Sequence, residues 1–92
     1  MMNVNAPETA PIVVMSDPKL AARKRFDGLT PREYQIAIRI AQGQRQATIA
    51  QELSISKKTV QTHRERALLA LGVGSSAEVA ILAFQAGLVS AP

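Results

Sequence analysis

The sequence predicts an all-α domain of four helices behind a flexible tail, and three observations carry that expectation. Thr30-Pro31-Arg32-Glu33 and Ser75-Ser76-Ala77-Glu78 both have the spacing of a capping box, in which a hydroxyl and a carboxylate satisfy the orphan N–H groups of a helix start. Between them the apolar residues recur at helical spacing, and no stretch reads as a strand. Gly43, Gly72 and Gly87 stand where those periods end, as glycines that stop helices do.

Residues 1–25 combine Pro7, Pro11 and Pro18 with Asn, Ala, Thr and Ser, and sustain no period beyond the short apolar run Ile12 to Met15. They are expected to form the tail. Arg23, Lys24 and Arg25 close it with a basic knot, readable either as an arm that touches phosphate or as a solvated linker. The folded domain is expected over 26–92. Thr30 suits the N-cap of its first helix, and Pro31 fits the first turn, where a missing N–H disturbs nothing. Ile36 and Ile40 set the inner face of that helix, and Leu29 staples it from outside.

A second, short helix is expected from about Gln46 to Leu53, burying Ile49, Ala50 and Leu53, although its start is weakly signalled. Leu53-Ser54-Ile55-Ser56 makes a turn with Ile55 inside, and Ser56 caps a third helix that runs to Leu71. Val60, Ala67, Leu68 and Leu71 give this helix an inner stripe, leaving Lys57, Lys58, Gln61, Thr62 and Glu65 on its outer N-terminal side. The fourth helix should run from about Ser76 to Ala86.

Composition narrows the chemistry. Without the tail, roughly 60 to 65 residues must build the core, near the lower limit for an unassisted fold, so a dimer interface would help. The 92 residues include no cysteine and one histidine, so neither a disulfide nor a metal or cofactor site is expected. The formal charge is +4, and Lys57 to Arg66 holds four cations against one anion, Glu65. Such a helix end suits a phosphate backbone, although a solvated helix face carries the same kind of run. No apolar window approaches a membrane span and the start lacks a secretory pattern, so a cytoplasmic protein with no membrane partner is expected.

Two short apolar-periodic segments meeting at Ser-Ile-Ser ahead of a basic helix have the layout of a helix-turn-helix, whose second helix can enter a DNA major groove. Further residues narrow the resemblance: Leu29-Thr30-Pro31-Arg32-Glu33, Ala41-Gln42-Gly43, Ile49-Ala50, Leu53, Ile55-Ser56, Thr59-Val60, His63, Leu71-Gly72-Val73, Ser75, Glu78 and Gly87-Leu88. Together they resemble the LuxR-type (GerE, FixJ, NarL) DNA-binding domain of bacterial regulators, over essentially everything after the tail.

The resemblance implies that helices two and three form the helix-turn-helix, that the third enters the major groove, and that the fourth supplies a dimer contact. Carried over residue by residue, it places Lys57, Lys58, Thr59, Gln61, Thr62 and Glu65 against bases or phosphates. Elementary chemistry agrees, because these side chains leave the helix end that also offers unpaired N–H groups to phosphate. Gln61 can bind adenine in a bidentate manner and Glu65 can accept from a cytosine amine, while Arg64 and Arg66 suit the flanking phosphates.

Departures from the family pattern matter too. Where relatives usually carry Ser-Asn-Lys-Glu before the second helix, this chain has Arg45-Gln46-Ala47-Thr48 and loses a capping box. Gln61 and Ala70 stand where lysines are common, with Arg45 and Arg66 as replacement cations. His63 matches a family histidine and reads as a packing residue, since no nucleophile or carboxylate dyad surrounds it; no enzyme is expected.

Val79 to Phe84 is apolar nearly all round. The family pattern buries Val79, Ala80, Ala83 and Leu88, which leaves Ile81, Leu82 and Gln85 as the dimer surface. Tyr34, Ile38 and Ala41 form a further stripe opposite Ile36 and Ile40, suggesting protein contact. The expected function is that of a transcriptional regulator binding a pseudo-palindromic site on double-stranded DNA as a homodimer, in this family usually an activator that contacts RNA polymerase. Most family members carry a receiver or small-molecule-binding domain first; 92 residues leave no room for one, so a stand-alone regulator is expected. An alternative is an interaction module that pairs with another transcriptional regulator as co-activator or antagonist. A third reading is a module like region four of a sigma factor, echoed in Arg64-Glu65-Arg66-Ala67-Leu68.

Overall fold

The capping signals act where their spacing places them. In the computed structural model, which describes residues 17–90, the chain forms α1 (Asp17–Phe26), α2 (Pro31–Ala41), α3 (Gln46–Leu53), α4 (Lys57–Leu71) and α5 (Ser76–Gln85), with no strand among those residues. Thr30 Oγ1 accepts the Glu33 N–H at 3.1 Å and Glu33 Oε1 accepts the Thr30 N–H at 3.1 Å, so the box that opens α2 is complete. At α5 the box is displaced: Ser75 Oγ accepts the Glu78 N–H, but Glu78 Oε1 takes the N–H of Gly74 at 2.8 Å.

The start of α3 lacks a side-chain cap at Arg45, as its sequence predicts. Arg39 of α2 ties down both ends of α3, donating to Gln44 at 3.3 Å just before its start and forming an ion pair with Glu52 in its last turn. α3 ends with Ser54 in the left-handed region (φ 57), which turns the chain sharply toward α4.

α1 corrects the reading of residues 1–25 as tail. The part of that stretch from Asp17 onward is helical, while 1–16, including the run Ile12 to Met15, lie outside the described residues. Pro18 reads as a loop signal, yet it falls in the first turn of α1, where proline is tolerated. Asp17 at the start and Arg23, Lys24 and Arg25 in the last turn complement the helix dipole. Ala22 and Phe26, four residues apart, form its buried face.

The core divides into two clusters. Ile36, Ile40, Ile49, Ala50 and Val60 join α2, α3 and α4, with Leu53 and Ile55 packed against them. Ala22, Phe26, Ala37, Ala67, Leu71, Val79, Leu82, Ala83 and Ala86 join α1, α2, α4 and α5. Two surface expectations change as a result. Leu82 is only 5% exposed and belongs to the second cluster, because its position on α5 points inward with Val79 and Ala86. Ile38 and Ala41 also pack against that cluster, leaving Tyr34 as the exposed member of the α2 stripe, edge-on to Phe26 with ring centroids 6.2 Å apart. No single helix among the described residues is long and apolar enough to cross a membrane.

Candidate nucleic-acid interface

The candidate surface is the outer face of α4, and the core beneath it sets its direction. Val60, Ala67 and Leu71 are buried, so a helical period of 3.6 turns Lys58, Gln61, Glu65 and Leu69 outward. Ser56 caps the helix by accepting the Thr59 N–H at 3.0 Å, which leaves the N–H groups of the first turn directed out of the helix end. Lys57, Lys58 and Arg66 are exposed and make no side-chain hydrogen bond or ion pair among the described residues. That end of α4 therefore combines exposed, uncommitted cations with open backbone donors.

Two of the expected base-reading residues are coupled. Gln61 Nε2 donates to Glu65 Oε2 at 3.2 Å, one helical turn away, and both side chains are exposed. The remaining Gln61 N–H and its carbonyl stay available for a second partner. Thr62 is half-buried and donates to the Lys58 carbonyl at 3.1 Å. Thr59 is tied into the cap, its hydroxyl 2.8 Å from that of Ser56, and so faces the turn rather than the open surface.

The cations do not all share this face. Arg64 is half-buried, and its Nε donates to Ser76 Oγ at 3.0 Å, which commits it to the start of α5. Arg45 is exposed at the start of α3, clear of the α4 row. His63 is half-buried with Nδ1 buried and unpartnered among the described residues, in keeping with a packing role. On α5, Ile81 and Gln85 are exposed as the dimer reading requires, together with Phe84, but Leu82 is not.

Leu69 is the feature that sequence reading passed over. It is 82% exposed and continues the row Lys58, Thr62, Glu65 toward the C-terminal end of α4. The same 3.6-residue count that places Glu65 outward could have found it.

Residues 27–83 match the family described as bacterial regulatory proteins, luxR family (GerE). The chain belongs to that family. Its LuxR-type helix-turn-helix is a DNA-binding regulatory unit, and α4 is the second helix of that motif. The response regulator GacA of Pseudomonas viridiflava is 44% identical over 66 residues, covering 72% of this chain and 31% of the relative. The transcriptional regulatory protein UhpA of Salmonella typhimurium is 48% identical over 62 residues, covering 67% of the chain and 31% of the relative. The transcriptional activator protein ExaE of Pseudomonas putida is 42% identical over 65 residues, covering 71% and 30%. The chain thus spans about a third of the length of these curated LuxR-family relatives.

Proposed function

We propose that the chain binds a pseudo-palindromic promoter site as a homodimer in the cytoplasm and activates transcription through contact with RNA polymerase. The observation that carries this reading is the outer face of α4, where Lys57 and Lys58 are exposed and uncommitted beside a pre-oriented Gln61. The activator sense draws support from the relative described as the activator ExaE. The dimer sense draws support from Ile81, Phe84 and Gln85, exposed together on α5. Leu82 takes no part in that surface.

The Gln61–Glu65 contact gives base readout a mechanism. One amide N–H of Gln61 is held by Glu65, leaving the other N–H for adenine N7 and the carbonyl for the adenine amine. Lys57, Lys58 and Arg66 would hold phosphates on either side, fixing register without reading sequence. Thr62 borders this footprint and Arg45 would add a cation from the start of α3, whereas Thr59 and Arg64 support it through their bonds to Ser56 and Ser76.

Two substitutions test the assignment. Gln61→Ala should relax preference at a single A·T pair, at about 1–3 kcal/mol of lost discrimination. Lys58→Glu should weaken every duplex alike and lower the slope of log affinity against log salt by roughly one unit. Equal binding of wild type and both variants to a selected site would place the recognition surface elsewhere.

A further inference from the structure

The stretch that matches the LuxR family begins at residue 27, immediately after α1, yet α1 contributes Ala22 and Phe26 to the core. Two of its cationic side chains reach the C-terminal ends of two different helices. Arg25 donates through Nε to the Leu71 carbonyl at 3.1 Å, and its Nη2 bonds the same oxygen across 46 positions of sequence. Leu71 is the last residue of α4. Lys19 crosses the end of α5 so closely that a Cβ built on Gly87 would fall 2.5 Å from its Cε.

Both contacts exploit glycines with positive φ. Gly72 (φ +72) ends α4, and a Cβ there would meet the Arg25 guanidinium at 3.3 Å; Gly87 (φ +73) follows α5. The carbonyls at a helix C-terminus carry partial negative charge, so a cation placed there is attracted as well as hydrogen-bonded. Within α4, the N-terminal end is held by the Ser56 cap, the middle by Val60 and Ala67, and the last turn by the buried Leu71 side chain together with the Arg25 bond to its carbonyl. The set of that last turn therefore depends in part on a residue outside the helix-turn-helix.

We propose that Arg25 is a positioning residue for DNA recognition: by gripping the Leu71 carbonyl it fixes the last turn of α4 against α1, and so holds the outer face of α4 at the angle the groove requires. This rests on α4 being the DNA-reading helix. Arg25 acts through α4: Nε and Nη2 are both committed to Leu71, and a phosphate contact through the remaining Nη1 is the alternative. A reading of Arg23 to Arg25 as a phosphate-binding arm makes a different prediction, and salt dependence separates the two.

The test uses the whole chain with Arg25→Gln and Arg25→Lys, measuring amide hydrogen exchange at residues 69–74 and affinity for a selected duplex across a salt series. Arg25→Gln should speed exchange at Gly72 and Val73, whose N–H groups bond Leu69 and Leu68, and leave exchange in the Ile49 cluster unchanged. It should also weaken binding by about fivefold or more with an unaltered salt slope. Arg25→Lys, which keeps the charge and one donor, should recover part of both. Unchanged exchange at 69–74 in Arg25→Gln would overturn the clamp. Changed exchange together with a salt slope lower by about one unit would overturn the positioning role in favour of a phosphate contact. Failure of the unaltered chain to prefer any duplex would overturn the DNA reading beneath it, and that outcome is visible separately from the exchange result.

Discussion

Around Ile49 the core is packed by branched side chains from α2, α3 and α4, whereas around Ala83 it is packed largely by alanines and closed by α1. Branched chains interlock and stiffen the helix-turn-helix from within its own sequence. Alanines let helix backbones approach closely but bury little area each, so that half depends on Phe26, Leu71, Val79 and Leu82 for apolar volume. One half presents α4, and the other anchors its far end.

The largest test of this contrast is at α5. Leu82→Asp should abolish cooperative unfolding, since an unpaired charge in the second cluster costs several kcal/mol in a fold of about 5–15 kcal/mol. Ile81→Asp, one position along and 57% exposed, should leave the melting curve intact and shift sedimentation toward monomer. A folded Leu82→Asp variant would break the assignment of Leu82 to the core. An unchanged mass for Ile81→Asp would remove α5 from the dimer proposal.

Phe26→Ala follows in size. Phe26 is 3% exposed, and its truncation should destabilise the domain by about 3–5 kcal/mol in chemical denaturation. A loss within about 0.5 kcal/mol, as for an ordinary surface substitution, would return α1 to the status of a tail. The smallest effect lies in the other half. Arg45→Ser would supply the missing cap of α3 and should raise stability by roughly 0.5–1 kcal/mol, readable as a higher denaturation midpoint. No gain would mean that the Arg39 bond to Gln44, just before the cap position, already secures that helix start.

The same contrast explains what was legible in the sequence. The helix starts at Thr30, Ser56 and Ser75 and the stop at Gly72 follow from local chemistry, and structure bears each of them out. The Ile36, Ile40, Ile49 and Val60 cluster is likewise visible as spacing. α1 was not legible, because Pro18 signals a break and its buried face consists of two residues. Leu82 was misplaced because Val79 to Phe84 is apolar all round, and a pattern without contrast cannot say which side faces in. At the candidate site, Lys57, Lys58, Gln61 and Glu65 lie outward as spacing required. The commitments of Thr59 and Arg64 depend on partners, Ser56 across the cap and Ser76 on α5, that spacing alone does not specify.

The central claim, that the outer face of α4 reads a DNA sequence, is tested most directly by titrating the whole chain against genomic fragments it selects and against random duplex of equal length, at several salt concentrations. The account predicts a preference of about a thousandfold or more for the selected fragments at physiological salt. Equal affinity for both duplexes at every salt concentration would contradict it.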